Sequence, residues 1–432
     1  MTTTDVAAVT KIPVPEPDLT PEEIIARATA MIPELRERQA ETEERGYFAE
    51  DTHRKFQQAG FYRILQPRMY GGYEFGIDTY YKVMIEIAKG CPSTSWCFGF
   101  SAAHTMEAAS FFPEEAQDDF YGQDGEFRAP FFAGLAVRAE RVDGGYYVKG
   151  AWPYSSGAPY STHMMGHFMV SDEEARASGH LARMFVAPRS IWTMRDDWTG
   201  QLGLRGSGSN TIDVDGFVPD KWVAKRFLPT ADVDGGTYGS RLHGNPMYAI
   251  RLMGFMAGEL ASVQTGIAYA ALDEYEQIIR TRPMMFTPAN MEEEAGSGTT
   301  KNLSDIKMPM RIEVEENRRN YGLALGKAAT AEAVVIRCGQ RLMENGRKAL
   351  ETGVYPPDWD LEILAMQING GEIAMKGWLD HLFRTMGSSA AKEGQRMNRY
   401  YRDSGVFWSH LLNMMHENAN TNLGTTRLLP MP

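Results

Sequence analysis

Residues 196–219 have the sequence DDWTGQLGLRGSGSNTIDVDGFVP, which is the most informative segment of the chain for its fold. A bend rich in glycine and serine, which carries the single arginine Arg205, leads directly into the alternating pattern of a β-strand. The bend contains Gly203, Gly206 and Gly208, and glycine lets the backbone take positive φ values and approach a ligand closely. The sequence therefore predicts a ligand-binding bend at the start of a strand.

Composition predicts a globular protein with neither nucleic acid, membrane nor metal among its partners. The 432 residues are 43% hydrophobic and 23% charged, and the net charge of −12 argues against nucleic acid. No apolar run approaches the roughly 20 residues of a membrane helix, and no Cys/His spacing fits a zinc site. Three scattered cysteines give no disulfide framework, so we expect a reducing, cytoplasmic location.

Changes of pattern divide the chain into four parts. We expect a flexible N-terminal arm at 1–20, a helical domain at 21–128, a central β domain at 129–235 and a C-terminal helical bundle at 236–432. Thr20 and the acidic residues after Pro21 mark the first helix, because threonine caps a helix and acids favour its positive end.

Periodicity places the elements within these parts. Helices are predicted around 51–59, 78–89 and 93–109, after Pro113, and at 248–280, 303–351 and 358–386. Strands are predicted at 131–137, 145–152, 163–170, 182–186 and 211–218, with a hairpin at Asp143-Gly144. The polar segment 288–300 is predicted to be a mobile connection.

Three further segments are candidates for a functional site. Trp96 and His104 share the helix predicted at 93–109, and the turn 152–157, WPYSSG, ends a strand. His410 follows Asp403 by seven residues, two turns along one helical face. An imidazole, with an ordinary pKa of ~6.5, can bind a phenol or act as a base.

Each of these segments also has a purely structural interpretation. His104 alone is more often a core histidine with a backbone partner, and the turn is more often a plain serine-rich turn. The pair Arg402-Asp403 favours a salt bridge at a helix start. His163 and His167 lie on one face of a predicted strand, which is typically its solvent side.

The bend resembles the GLRGTGS segment of the acyl-CoA dehydrogenase superfamily, and 399–403, RYYRD, resembles its R-x-x-R-D motif. The order of helices, β domain and helices is also that of the family. The resemblance implies a mainly α fold with an N-terminal helical domain, a small central β-barrel or sandwich and a C-terminal four-helix bundle that forms tetramers. The dehydrogenases carry a glutamate base near the C-terminus. Here that position falls at about Leu411, beside His410.

These departures resemble a second branch, the two-component group D flavin-dependent monooxygenases such as the oxygenase component of 4-hydroxyphenylacetate hydroxylase. That branch has S-S-x-W followed by a helical histidine, matched by 93–96, STSW, and His104. It has W-x-F-S-S-G, matched by 152–157, and a histidine about seven residues after R-D, matched by His410. His163 stands after the serine turn, where many members have a histidine or tryptophan.

The resemblance implies an oxygenase that uses reduced FMN or reduced FAD and O₂, through a C4a-hydroperoxyflavin, to hydroxylate a small aromatic or heteroaromatic substrate. A separate NAD(P)H:flavin reductase would supply the reduced flavin, and the protein would be a homotetramer. The implied catalytic residues are His104, His410, Ser155 and Ser156. The implied flavin-binding residues are Trp152, Ser155, Ser156, Gly157, Leu204, Arg205, Gly206 and Ser207. The implied substrate-binding residues are Trp96, His104, His163, Phe407 and His410.

Two other functions stay open at this point. An FAD-dependent acyl-CoA dehydrogenase or oxidase with a displaced base would bind oxidised FAD tightly. A helical scaffold without flavin would bind none, although such a scaffold has no need of a glycine-rich bend that costs backbone entropy. N-hydroxylation and sulfur oxygenation on the same scaffold are also open.

Overall fold

The computed structural model describes residues 10–122, 124–135, 137–224, 233–284, 308–414 and 416–429. The connection predicted at 288–300 lies outside these residues, as do residues 1–9 of the predicted flexible arm. Residues 10–20 of that arm are anchored, contrary to the prediction. The Lys11 ammonium pairs with Glu114 at 2.7 Å and Asp118 at 2.5 Å, and Ile12 forms a bridge with Tyr70.

Seven helices form the described N-terminal region. They are α1 (Pro21–Glu37), α2 (Gln39–Arg45), α3 (Glu50–Gln58), α4 (Ile77–Gly90), α5 (Pro92–Ala102), α6 (Thr105–Phe111) and α7 (Glu114–Tyr121). Thr20 caps α1 in a reciprocal capping box with Glu23, as the sequence predicts.

The single helix predicted at 93–109 is wrong, because the chain breaks between α5 and α6 at His104. A neighbouring segment supplies the hydrogen bonds at the break. The Ala129 N–H donates to the Ser101 carbonyl at 3.0 Å, and the Ala129 carbonyl lies 2.7 Å from His104 Nδ1. Tertiary partners, which helical periodicity does not reveal, therefore turn the chain here.

Two four-stranded sheets form the central domain, with orders β1-β4-β5-β8 and β2-β3-β7-β6. The strands are β1 (Phe131–Phe132), β2 (Glu140–Val142), β3 (Gly145–Trp152), β4 (His163–Met169), β5 (Ala182–Pro188), β6 (Trp192–Met194), β7 (Ile212–Pro219) and β8 (Val223–Ala224). A short helix, α8 (Asp172–Ser178), joins β4 to β5. The predicted hairpin joins β2 to β3, and the sheets enclose one apolar core.

Strand β3 runs antiparallel to β7 with Gly145 opposite Pro219. The strand that follows the glycine-rich bend is therefore an inner strand of its sheet. Among the described residues of the strand predicted at 131–137, only Phe131–Phe132 form a strand. The prediction that His163 and His167 lie on a solvent-exposed face of the strand 163–170 is also wrong. β4 lies between β1 and β5, and His167 is fully buried there.

Helices return after the β domain. They are α9 (Tyr238–His243), α10 (Met253–Thr281), α11 (Glu315–Thr352), α12 (Pro357–His381), α13 (Arg396–Ser409), α14 (Leu411–Met414) and α15 (His416–Leu428). Helices α10, α11 and α12 pack on one another, and α10 and α11 also pack on α4. Within the described chain no helix is long and apolar enough to cross a membrane.

Candidate active site

A cavity of about 610 Å³ lies where the three regions of the fold meet. Its walls come from α5, the turn 154–156, the bend 201–209, the start of α10 and the C-terminal end of α13. Most of the lining is aromatic or aliphatic, with Trp96, Phe100 and Phe131 prominent. An apolar cavity of this size with a few converging polar groups is typical of a small-molecule site.

A chain of hydroxyl groups forms the first polar feature of the wall. The Trp96 indole N–H donates to Ser156 Oγ at 3.0 Å, and Ser156 Oγ lies 2.7 Å from Ser209 Oγ. Ser209 Oγ in turn lies 2.7 Å from Ser207 Oγ. Each of the three serine hydroxyls has one proton, and the two contacts between hydroxyls use two of these protons. One O–H of the three is therefore available to donate to a ligand in the cavity.

Of the two predicted turn serines, only Ser156 lines the cavity. The Ser155 hydroxyl is fully buried and donates to the Trp152 carbonyl at 3.0 Å. Trp152 lies in the core of the two sheets, where its indole N–H donates to the His167 carbonyl. Neither Ser155 nor Trp152 lines the cavity, because Trp152 packs into the sheet core and the Ser155 hydroxyl turns back to the end of the strand.

Gly157 joins this turn to its neighbours. Its φ is +85°, and a Cβ added to it would lie 2.6 Å from the Cys97 carbonyl oxygen of α5. Its N–H donates to the Ser207 carbonyl at 3.2 Å. The glycine therefore lets the turn pack against both α5 and the bend.

The bend presents Leu204 and Ser207 to the cavity, whereas Arg205 and Gly206 hold its shape. Leu204 adopts a φ of 49°, which is unfavourable for a residue with a side chain. The Arg205 Nε–H donates to the Gln201 carbonyl at 2.8 Å, and the Gly206 N–H donates to Ser93 Oγ at 3.3 Å. Trp198 was not among the predicted site residues, although it lines the cavity and donates its indole N–H to the Leu204 carbonyl at 3.0 Å.

His104 offers a hydrogen-bond acceptor. Its Nδ1 lies 2.7 Å from the Ala129 carbonyl, and because a carbonyl only accepts, Nδ1 must carry the proton. The buried Nε2 has no partner among the described residues, and the side chain lines the cavity. Burial lowers the pKa of His104 to about 4, so the ring is neutral at pH 7 and Nε2 keeps its lone pair.

His410 offers a donor. The Leu412 N–H donates to His410 Nδ1 at 3.3 Å, so the proton of the neutral ring lies on Nε2. Burial lowers the pKa of His410 to about 4, and its ring stands edge-on to Trp96 with centroids 5.4 Å apart. Helix α13 ends at Ser409 and His410 is its C-cap, so the prediction that His410 continues the helical face of Asp403 is wrong.

Two predicted substrate-binding residues lie elsewhere. Phe407 is buried against α12, where a Cβ added to Gly371 would lie 2.4 Å from its ring. His163 stacks on Phe127 with centroids 4.8 Å apart, and its Nδ1 lies 2.9 Å from Thr162 Oγ1. Neither is among the residues that the structure places around the cavity.

The predicted salt bridge of Arg402 with Asp403 at a helix start is also wrong. Both residues lie in the middle of α13, and Arg402 pairs with Glu43 of α2 at 2.5 Å. Asp403 accepts a hydrogen bond from the Leu204 N–H at 2.6 Å. Burial raises the pKa of Asp403 to about 7. The carboxylate therefore connects α13 to the bend.

The residues present fit a flavin ring with a flat aromatic substrate beside it. Trp96 and Phe100 of α5 stack on each other with ring centroids 4.7 Å apart and form one aromatic wall. The spare hydroxyl proton and the unpaired His104 Nε2 provide one donor and one acceptor. Helical domain, β domain and helical bundle, with the site between them, define the acyl-CoA dehydrogenase fold predicted from the sequence.

Comparisons with known proteins agree with this fold. Residues 23–122 match the family described as acyl-CoA dehydrogenase, N-terminal domain. The crystal structure of 3-HSA hydroxylase from Rhodococcus sp. RHA1 superposes with a TM-score of 0.76 at 26% identity, covering 95% of this chain and 98% of that one. XiaF from Streptomyces sp., in complex with FADH2 and glycerol, superposes with a TM-score of 0.78 at 22% identity over 95% and 96% of the two chains.

Two curated relatives indicate which branch of the acyl-CoA dehydrogenase fold this chain resembles. The flavin-dependent monooxygenase oxygenase subunit HsaA of Rhodococcus jostii is 33% identical over 58% of this chain, and the match spans 63% of that relative. The pigment production hydroxylase of Rhodococcus sp. is 27% identical over 91% of this chain and 93% of the relative. The predicted resemblance to flavin-dependent monooxygenases of the acyl-CoA dehydrogenase fold is confirmed.

Proposed function

We propose that this protein is the oxygenase component of a two-component flavin-dependent monooxygenase that hydroxylates a small, neutral aromatic or heteroaromatic substrate. When bound, reduced FMN or reduced FAD activates O₂ for the transfer of one oxygen atom. The observation that carries the proposal is the cavity in which an acceptor on His104, a donor on His410 and a hydroxyl chain converge between aromatic walls.

The hydroxyl chain is suited to hold the flavin. Ser156 Oγ accepts from the Trp96 N–H and contacts Ser209 Oγ. The O–H of the three serines that is not used in these contacts would be available to a ring nitrogen of the cofactor. Ser207 and Ser209 extend this polar strip along the wall. The backbone of Leu204 to Ser207 would lie along the ring or its phosphate.

His104 is suited to activate the substrate. Its neutral Nε2 accepts a hydrogen bond from a phenol O–H or an aromatic N–H, which raises the electron density at the ring carbon that is attacked. His410 Nε2–H would donate a hydrogen bond to the substrate oxygen and stabilise the negative charge that develops there. Trp96, whose ring contacts that of His410 edge-on, would hold the substrate between the two histidines.

The cavity lining favours a neutral substrate and a dry site. Among the described residues around the cavity none is Asp, Glu, Lys or Arg. A charged substrate group would be buried there without a partner, which is costly. Apolar walls also exclude water, which protects a reactive oxygen donor from hydrolysis.

The same lining weakens the alternative of an acyl-CoA dehydrogenase. That reaction needs a base to remove the proton from the α-carbon of the thioester. No carboxylate lies among the lining residues that the structure describes, and the position of the missing glutamate is taken by Leu411 beside His410. Neither histidine carries a carboxylate partner in the contacts described above.

The proposal includes partners and assembly. A separate NAD(P)H:flavin reductase would supply the reduced flavin, and four copies would form a cytoplasmic homotetramer. Exposed Leu323, Leu325 and Leu350 on α11 support burial of the bundle against other copies. Light scattering of the purified protein tests the tetramer, since a monomer would exclude it.

The function is tested by anaerobic titration of the purified protein with reduced FMN and with reduced FAD, followed by rapid mixing with O₂. We expect tight binding of one reduced flavin and a long-lived absorbance change after mixing. A panel of neutral phenols, indoles and anilines then identifies substrates by faster decay and by hydroxylated product. Tight binding of oxidised FAD together with bleaching by an acyl-CoA would instead establish the dehydrogenase.

A further inference from the structure

Two walls of the cavity come from parts of the chain that are about 200 residues apart. The bend contributes Leu204 and Ser207, and the end of α13 contributes Val406 and His410. The hydroxyl chain lies on the first wall and the donor histidine on the second. Their separation sets how a flavin and a substrate fit between them.

One buried hydrogen bond joins these walls directly. The Leu204 N–H donates to Asp403 Oδ1 at 2.6 Å, and both residues are almost fully buried. The backbones also touch, since a Cβ added to Gly203 would lie 2.2 Å from the Arg402 carbonyl oxygen and 2.5 Å from the Asp403 nitrogen. The bend is therefore seated against α13 with no space for a side chain.

The bond also holds Leu204 in an unfavourable conformation. A leucine with a φ of 49° persists only where its surroundings impose that geometry. Asp403 fixes its N–H, and the Trp198 indole fixes its carbonyl at 3.0 Å. Without the carboxylate, the peptide before Leu204 loses the partner that keeps it turned.

The neighbouring arginines leave Asp403 available for this task. Arg399 Nε donates to Glu43 at 2.9 Å and Arg402 Nη2 donates to Glu43 at 2.5 Å. Arg402 Nη1 donates to the Leu202 carbonyl at 3.1 Å. Glu43 of α2 thus takes both cations, and the carboxylate of Asp403 accepts from the backbone of the bend.

We propose that Asp403 is a positioning residue, which fixes the cavity-lining bend against the helix that ends at His410 and thereby sets the spacing of the flavin-holding and substrate-holding walls. Asp403 does not line the cavity, and it acts through Leu204. This inference rests on the proposed function, because its effect is measured on reduced-flavin binding.

The test compares Asp403→Leu, which removes the acceptor at similar size, with Asp403→Asn, which keeps an oxygen acceptor. Each variant is titrated anaerobically with the reduced flavin that the wild type binds, then mixed with O₂ and substrate. We expect Asp403→Leu to weaken reduced-flavin binding about tenfold, in the range of one buried hydrogen bond, and to divert most of the O₂ consumed into H₂O₂. Asp403→Asn is expected to restore most of both.

Arg396→Gln is the matched control. It removes the ion pairs that tie the start of α13 to Glu37 and Glu274 while leaving Asp403, Glu43 and the two arginines in place, so it is expected to lower the Tm with little change in flavin binding or H₂O₂ yield. If Asp403→Leu gives no folded protein, Gly203→Ala provides the same test. Its Cβ separates the bend from α13, and the same losses are expected.

The outcomes separate the two hypotheses. Failure of the wild type to bind any reduced flavin overturns the proposed function. If the wild type binds and couples, but Asp403→Leu or Gly203→Ala changes only the Tm, the positioning role is overturned and the proposed function stands. Equal losses in Asp403→Leu and Asp403→Asn also overturn it, because the acceptor oxygen would then not be what matters.

Discussion

The two histidines of the cavity have the same lowered pKa but opposite hydrogen-bonding roles. His104 follows α5 and lies against the carbonyl of Ala129, whereas His410 follows α13 and lies against the N–H of Leu412. Both rings are kept neutral by burial. The backbone group beside Nδ1 therefore decides whether a histidine presents an acceptor or a donor to the substrate, and residue type alone does not.

Replacement of the acceptor is expected to have the largest effect. His104→Ala removes the lone pair that activates the substrate, and we expect hydroxylation to fall by about 10²-fold or more, the usual range for an acid–base group. Single-turnover product analysis measures it. His163→Ala is the matched control, since it removes a half-buried imidazole that lies outside the cavity. Equal losses in the two variants would contradict the assigned role.

Replacement of the donor is expected to have a smaller effect. His410→Ala should lower hydroxylation by roughly tenfold, in the range of one hydrogen bond to a developing charge. Because this hydrogen bond would be made to the substrate and not to the flavin, reduced-flavin affinity should change less than turnover. A wild-type rate in this variant would leave His104 as the only imidazole that matters.

The two neighbouring serines provide a sharper contrast on the flavin side. Ser156→Ala breaks the chain from Trp96 to Ser209 and should raise the H₂O₂ fraction several-fold, about the loss expected for one hydrogen bond. Ser155→Ala removes a bond to the Trp152 carbonyl and should lower only the Tm. Peroxide assays beside thermal melts distinguish the two variants, and the reverse pattern would refute the placement of Ser156.

The smallest expected change is with pH. Nitrogen-15 NMR of histidine-labelled protein should show both rings neutral between about pH 5.5 and 8, with the proton of His104 on Nδ1 and that of His410 on Nε2. Because their pKa values lie near 4 in the folded state, against ~6.5 unfolded, these rings contribute stability above pH 6.5 that is lost as pH falls through about 4. Titration of either ring near pH 6.5 would contradict this.

Much of the site could be predicted because its signals are local. The turn 152–157 and the bend 196–209 lie within short segments, and the structure joins them through hydrogen bonds from Ser155 N–H to the Asn210 carbonyl and from Gly157 N–H to the Ser207 carbonyl. Their serines and glycines indicate polar turns by residue type. The same local information does not reveal which of two adjacent serines faces the cavity.

The contacts of the region after residue 396 could not be predicted, because the residues that make them are distant in sequence. The pairing of Arg402 with Glu43, and of Asp403 with Leu204, joins residues roughly 360 and 200 positions apart. An arginine followed by an aspartate indicates a salt bridge, and nothing in their spacing shows that each has another partner.

The sequence by itself determined the order of helical and β regions, the bend around Arg205 and the resemblance to flavin-dependent monooxygenases, because periodicity and short motifs are properties of neighbouring residues. Only the tertiary structure decided where the helix breaks at His104, which predicted residues lie outside the cavity and where each imidazole proton sits. Those features depend on a backbone carbonyl, a backbone N–H or a packed helix that another part of the chain supplies. These partners act on the helix and the imidazoles only because folding buries them together.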